Sequence, residues 1–157
     1  MIELRDPVSD DLEPLTRLWY AGWHEAHGAL VPTALSEQRT LESFATRLQR
    51  IYLETRVVGV VGAPVAFCST KGDEVYQLFV SANARGSGVA AHLLSDAETR
   101  LRRRGAEISW LTCVIGNNRA AHFYSKNGWS QVGTMVDQVE TLGEGFPIEL
   151  WRYEKRL

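Results

Sequence analysis

Cysteine is scarce in this chain: Cys68 and Cys113 are the two among 157 residues. They make no CxxC pair and no disulfide framework, which excludes a small stapled scaffold and points to a reducing, cytoplasmic setting. Each falls in a run that reads as a strand, so both are expected as buried free thiols. Long apolar runs are missing too, and none approaches the roughly 18 residues of a membrane-spanning helix. The opening Met1-Ile-Glu-Leu-Arg-Asp6 is charged at once and lacks the apolar region of a signal peptide. Charge of one sign is nearly absent as a net quantity, at −2, so there is no electrostatic footprint for nucleic acid. The P-loop pattern GxxxxGK[ST] does not occur, and the dinucleotide fingerprint GxGxxG fails because Ala91 stands where its third glycine would fall. His24 and His27 are three apart but have no third ligand nearby, so no metal is expected. Repeats, low-complexity stretches and linkers are absent.

What is present fits one domain over residues 1–157, with 45% hydrophobic and 23% charged residues, ordinary values for a chain with a core of its own. Ile2 to Arg5 reads as a short strand. Asp10 with Glu13 suggests a capping box, after which Leu15, Leu18, Trp19 and Gly22/Trp23 recur at helical spacing. Leu41, Phe44, Leu48 and Ile51 predict a second helix starting near Thr33 or Ser36. Three strands follow, Leu53 to Val60, Pro64 to Thr70 and Glu74 to Val80, joined by turns at Gly62-Ala63 and Lys71-Gly72-Asp73. Gly86 to Arg104 is an amphipathic helix closed by Gly105. Arg100, Arg102, Arg103 and Arg104 crowd its end, either as a solvated cluster complementing the helix dipole or within reach of a phosphate. Ile108 to Ile115 reads as a strand, Asn117 to Asn127 as a helix closed by Gly128, and Trp129 to Glu140 with Phe146 to Glu154 as a final strand pair. The order β-αα-βββ-α-β-α-ββ implies an α/β architecture with a mixed sheet and helices on both faces. A ligand in such a sheet sits beyond the carboxyl ends of the strands, where Val80 leads into the next helix.

Two segments carry the chemistry. Arg85-Gly86-Ser87-Gly88-Val89-Ala90 links a strand to a helix. A helix N-terminus offers unpaired N–H groups to a phosphate, and glycines let the backbone approach. By itself the segment is equally readable as a tight turn. Asn117-Asn-Arg-Ala120-Ala-His-Phe123-Tyr124-Ser-Lys-Asn-Gly128-Trp129 then sets a phenol and an amide on a second helix.

Together the two segments resemble the GNAT acetyltransferase superfamily. Its pyrophosphate loop, Arg/Gln-x-x-Gly-x-Gly/Ala, is matched by Arg85 to Ala90. Its later pattern, Asn-x-x-Ala-x-x-Phe-Tyr-x-x-x-Gly-aromatic, is matched by Asn117, Ala120, Phe123, Tyr124, Gly128 and Trp129. The resemblance spans nearly the whole chain and implies a mostly antiparallel seven-stranded sheet. It implies acetyl-CoA as cosubstrate, with the pyrophosphate on Arg85, Gly86, Ser87, Gly88, Val89 and Ala90. Pantetheine would pair with the backbone of Leu78, Phe79 and Val80 and with Asn117. Tyr124 would protonate the departing thiolate, as a neutral phenol is able to do. The implied activity is N-acetyl transfer to a primary amine by direct attack in a ternary complex. A small-molecule acceptor is favoured, a peptide or protein amine is the alternative, and a non-catalytic acyl-CoA sensor is a third reading. Homodimerisation is common in the family, so a homodimer stays open.

The general base is the weak point of the match. Gln77 and Thr112 stand where family members often carry acids. Glu74 is read as an exposed strand-start charge, or as a base acting through water from the face it would share with Tyr76 and Leu78. Trp19, Tyr20, Trp23, His24, Glu25 and His27 cluster at the end of the first helix. They either line an acceptor pocket, with His24 or Glu25 as base, or pack as an aromatic face on the sheet. His92 and His122 are expected on the surface, and Gly143-Glu-Gly145 is read as a mobile loop over the acceptor site.

Overall fold

The computed structural model describes residues 2–157. Its strands are β1 (Leu4–Arg5), β2 (Thr55–Val60), β3 (Ala63–Lys71), β4 (Glu74–Val80), β5 (Ile108–Val114), β6 (Ser130–Val139) and β7 (Phe146–Arg156). Its α-helices are α1 (Leu12–His27), α2 (Thr33–Gln38), α3 (Leu41–Ile51), α4 (Val89–Arg103) and α5 (Asn118–Lys126). The strands form one seven-stranded sheet in the order β1-β2-β3-β4-β5-β7-β6. Every neighbouring pair is antiparallel except β4 with β5, which is parallel. This is the mixed, mostly antiparallel sheet that the sequence predicts.

Helices cover both faces because each carries one apolar stripe. Leu15, Trp19 and Trp23 recur every fourth residue along α1 and pack with Phe44 and Leu48 of α3 on one face of the sheet. Leu93, Leu94, Ala97 and Leu101 of α4 pack with Trp129 and Tyr153 on the other. Gly22 lets α1 lie directly on β4, since a Cβ there would come within 2.7 Å of the Phe79 ring. Cys68 and Cys113 are buried free thiols, as expected.

Several sequence expectations shift in detail. The capping box of Asp10 and Glu13 does not form. Asp11 takes that place, and its buried carboxylate accepts from the Val8 and Gly62 amides at 2.8 and 2.9 Å. Arg5 grips the same carboxylate through Nη1 and Nη2 at 2.7 and 3.0 Å. The second helix is two helices, because Thr40 caps α3 by accepting from the Ser43 amide. The first strand shortens to Leu4–Arg5, and a helical turn at Tyr52–Glu54 delays β2 to Thr55. The fourth helix begins at Val89, with Gly88 at φ +84° in the position before it.

A bulge in β4 alters the face of its side chains. Ser69 of β3 faces Gln77, but the next residue, Thr70, faces Val75, so Tyr76 is an extra residue. Tyr76 consequently packs with the α1–α3 cluster, whereas Leu78 packs with the α4 cluster. Glu74, Tyr76 and Leu78 therefore do not share one face, contrary to the period-two reading.

Candidate active site

The parallel junction of β4 and β5 opens a cleft. Glu74 opposite Trp110 is the registered pair joining them, and beyond it the strands diverge. On its other side β4 stays paired to β3 through Leu78–Cys68, Phe79–Phe67 and Val80–Ala66. The edge of β4 that faces β5 thus offers backbone N–H and C=O groups to an extended ligand, since such groups need partners when water is excluded. The resulting cleft has a volume of about 830 Å³ and runs from the loop before α4 to the β6 edge.

At one end lie Arg85, Gly86, Gly88, Val89 and Ala90, and Leu78, Phe79 and Val80 line the same cleft. Gly86 and Gly88 have φ of +79° and +84°, a region that side chains disfavour. Among the described residues no side chain caps the first turn of α4, so its N–H groups remain available to an anion. A coenzyme pyrophosphate fits such a cradle. Ser87 does not line the cleft, and its Oγ donates back to the Ala84 carbonyl. Arg85 is engaged: its Nη1 and Nη2 donate to the two Glu25 carboxylate oxygens at 2.9 Å each. That pairing holds the Glu25 carboxyl below its ordinary range, and Glu25 lies outside the cleft lining. At the far end of α4, Arg102, Arg103 and Arg104 are exposed, with Arg104 on Glu54 and Thr70, whereas Arg100 is largely buried on Asp96. The 15-residue helix separates them from its own N-terminus by about 22 Å.

Midway along the cleft stand Asn117, Phe123 and Tyr124. Tyr124 packs edge-on to Phe123 and Trp129, with centroids at 5.4 and 6.4 Å. Burial, with Cys113 and Cys68 nearby, pushes its phenol above the ordinary value, so it is neutral throughout the working range. Asn117 caps α5, its Oδ1 accepting from the Ala120 amide at 3.2 Å. This fixes the amide orientation, so Nδ2 donates to His27 Nε2 at 3.1 Å. His27 accordingly carries its proton on Nδ1, which is buried without a partner among the described residues. Burial first, then Arg39, lowers the His27 pKa to about 4, and the ring is neutral.

At the other end the cleft is lined by Arg39, Arg47, Glu74, Tyr76, Asp137 and Glu140. Glu74 is 8% exposed, not the surface charge that its place at a strand start suggests. Burial, reinforced by Asp137, raises its carboxyl to about 8, while Lys71 and Arg152 partly offset this. Gln77 and Thr112 also line the cleft. Of the aromatic group on α1, Trp23 and His27 reach it, whereas Trp19 is fully buried in the core. His24 donates from Nε2 to the Arg39 carbonyl at 2.6 Å and lies outside the cleft lining, which removes it as a base. His92 and His122 are exposed, as expected. The segment after β6 is tied down, with Glu140 bound by Arg50 and Arg39, and Thr141 accepting from Gly143 and Gly145.

The model of the acetyltransferase (GNAT) family matches residues 10–129, most of the chain and both motif segments. The chain belongs to the GNAT acetyltransferase family. No curated protein sequence matches it. Among solved structures, a GCN5-related N-acetyltransferase from Rhodopseudomonas palustris is 23% identical with a TM-score of 0.77, the alignment covering 100% of this chain and 96% of that one. The PaiA N-acetyltransferase of Thermoplasma acidophilum in complex with coenzyme A is 19% identical, TM-score 0.69, covering 100% and 99%. A ribosomal-protein-alanine N-acetyltransferase from Brucella melitensis is 19% identical, TM-score 0.72, covering 99% of each chain. At these identities the likeness is one of GNAT fold.

Sequence reasoning missed Arg39, Arg47 and Glu140 as members of the GNAT cleft. Arg47 left a trace, since it interrupts the apolar stripe of Phe44, Leu48 and Ile51 on α3. Arg39 and Glu140 sit just beyond element ends and leave none. Among the described residues, no group of three or more His, Cys, Asp or Glu is placed to hold a metal, and no helix is long and apolar enough to cross a membrane.

Proposed function

We propose that the protein transfers the acetyl group of acetyl-CoA to the primary amine of a small molecule, by direct attack within a ternary complex. The observation that carries this is one continuous cleft. It joins the glycine loop before α4, the Tyr124 phenol and the Glu74 carboxyl through the gap between β4 and β5. Coenzyme A in the PaiA structure supports the same class of cosubstrate here.

Acetyl-CoA supplies an acyl group activated on a thiol leaving group. The backbone of Gly86 to Ala90 and the first turn of α4 bind its pyrophosphate. The free edge of β4 at Leu78 to Val80 orients the pantetheine arm and presents N–H groups to the carbonyl oxygen, where negative charge develops. Asn117 shapes this wall through its cap and its bond to His27. Glu74 accepts the proton of the incoming ammonium, directly or through one water, and its raised pKa suits a base near neutral pH. The nitrogen then forms its bond to the acyl carbon, the carbon–sulfur bond breaks as Tyr124 donates its proton to the departing sulfur, and the second proton shed by the nitrogen returns through water to the Tyr124 oxygen.

Free-thiol release from acetyl-CoA, measured across amines, amino acids, polyamines and short peptides, tests the proposal. Release that depends on an added small amine is expected. Tight acetyl-CoA binding without release for any amine would instead leave a sensor.

A further inference from the structure

The acceptor end of the cleft holds two buried guanidiniums that no carboxylate pairs among the described residues. Arg39 and Arg47 are each 3% exposed, and both line the cleft. Arg47 lies over the Trp19 ring with 4.4 Å to the centroid, and Arg39 over Trp23 at 5.5 Å. Arg47 Nη2 donates to the Tyr76 hydroxyl at 3.3 Å. Arg39 Nη1 donates to the main-chain carbonyl of Glu140, not to a carboxylate. The Glu140 carboxylate is shared by Arg50 and the Tyr76 hydroxyl. Among the described residues, Arg39 Nε, Arg47 Nε and Arg47 Nη1 are buried with no hydrogen-bond partner. Neither guanidinium has an ion pair to a carboxylate among those residues.

Buried charges are held when they are paired, and a buried N–H without an acceptor is costly. Two under-satisfied guanidiniums at the substrate end of a cleft therefore keep donor capacity that an anion would satisfy. Burial beside the Trp19 and Trp23 rings restricts both side chains in advance, and a guanidinium matches a carboxylate in geometry as well as in charge. The opposite wall has the complementary character, with Glu74 and Asp137 facing the cleft.

We infer that the acceptor is a small amine that also carries a carboxylate, the amino-acid class. Its carboxylate is bound by Arg39 and Arg47, and its ammonium lies at Glu74. This deepens the proposed function and rests on it for the fate of the amine, but the anion site stands on its own geometry. Polyamines and aminoglycosides, whose charged groups are all cationic, are disfavoured by the same two arginines.

The test sets the standard amino acids, β-alanine and 4-aminobutyrate each beside its decarboxylated amine and its methyl ester, with 2-aminoethyl phosphate as a separate anion. Two readouts are taken: thiol release from acetyl-CoA, and tryptophan fluorescence of the protein loaded with coenzyme A, which senses Trp19 and Trp23. At least one carboxylate amine is expected to exceed its ester and its decarboxylated partner about tenfold or more in kcat/KM. Arg39→Gln and Arg47→Gln should each shrink that ratio while leaving the KM for acetyl-CoA unchanged. Carboxylate amines that bind by fluorescence without thiol release would sink the transfer reading and leave this site standing. Equal or better turnover of decarboxylated amines, polyamines or the phosphate would leave transfer standing and overturn the inference. No binding and no turnover with any carboxylate amine would overturn it as well. The matched pairs are compared on wild-type protein, so they decide between these outcomes even if an arginine variant fails to fold.

Discussion

Glu74 of β4 stands opposite Trp110 of β5, the pair at which the two parallel strands meet before they part. The carboxyl is thereby sunk at the closed end of the cleft, and its environment holds its pKa at about 8. That register places Glu74 in the cleft, and burial with Asp137 raises its carboxyl there.

Activity should follow that titration. As a base, Glu74 must be ionised, so kcat/KM is expected to rise with pH through about 8. Glu74→Gln should lower it by about 10²-fold or more and remove that limb of the profile. An unchanged profile would end the assignment. Stability should run the opposite way. The folded protein holds the Glu74 proton more tightly than the unfolded chain, whose carboxyl titrates near 4.5. Stability is therefore lost as pH rises between about 4.5 and 8. Glu74→Gln should flatten this slope in denaturant titrations.

In the proposed site, Glu25 holds Arg85 away from the coenzyme. The pair is exposed and bidentate, so breaking it frees a cation beside the glycine loop at little structural cost. Glu25→Gln is expected to lower the KM for acetyl-CoA about two- to threefold at low ionic strength, an advantage that salt erases. A rise in KM would mean that Glu25 orders the loop instead.

Asn117 sets the proton on His27. Replacing its Nδ2 donor with an acceptor should reverse the polarity of that contact. In Asn117→Asp the α5 cap remains, but a carboxylate now faces Nε2 and favours imidazolium. The His27 pKa, held at about 4 in the wild type, should climb toward or past the ordinary histidine range in an NMR titration. A value still near 4 would show that the two side chains do not touch.

Much of this architecture was legible in the chain itself. Turns at Gly62 and Gly72 and the stop at Gly105 are local events, set by backbone conformations that glycine permits, and the β2-β3-β4 meander follows from them, whereas the place of β7 between β5 and β6 does not. The two motif segments are short and contiguous, so Arg85 to Ala90 and Asn117 to Trp129 could be placed before any fold was known. The burial of Glu74 was not legible, because it depends on β5 and β6 closing over the start of β4. The bulge at Tyr76 was also hidden, since nothing in Glu-Val-Tyr-Gln-Leu-Phe-Val marks where alternation slips. The partnership of Arg85 with Glu25 joins residues sixty apart. Such a contact belongs to the packing of α1 on the sheet, not to either local sequence.

In the proposed mechanism, transfer turns on Tyr124 delivering its proton to the departing thiolate. Amine-dependent thiol release by Tyr124→Phe beside wild type, with kcat and the KM for acetyl-CoA determined separately, probes that step directly. The expected outcome is a kcat lower by about 10²- to 10³-fold with a KM within about twofold, because only the hydroxyl is removed from a ring that keeps its packing. A variant with wild-type kcat would contradict the role of Tyr124 as the acid.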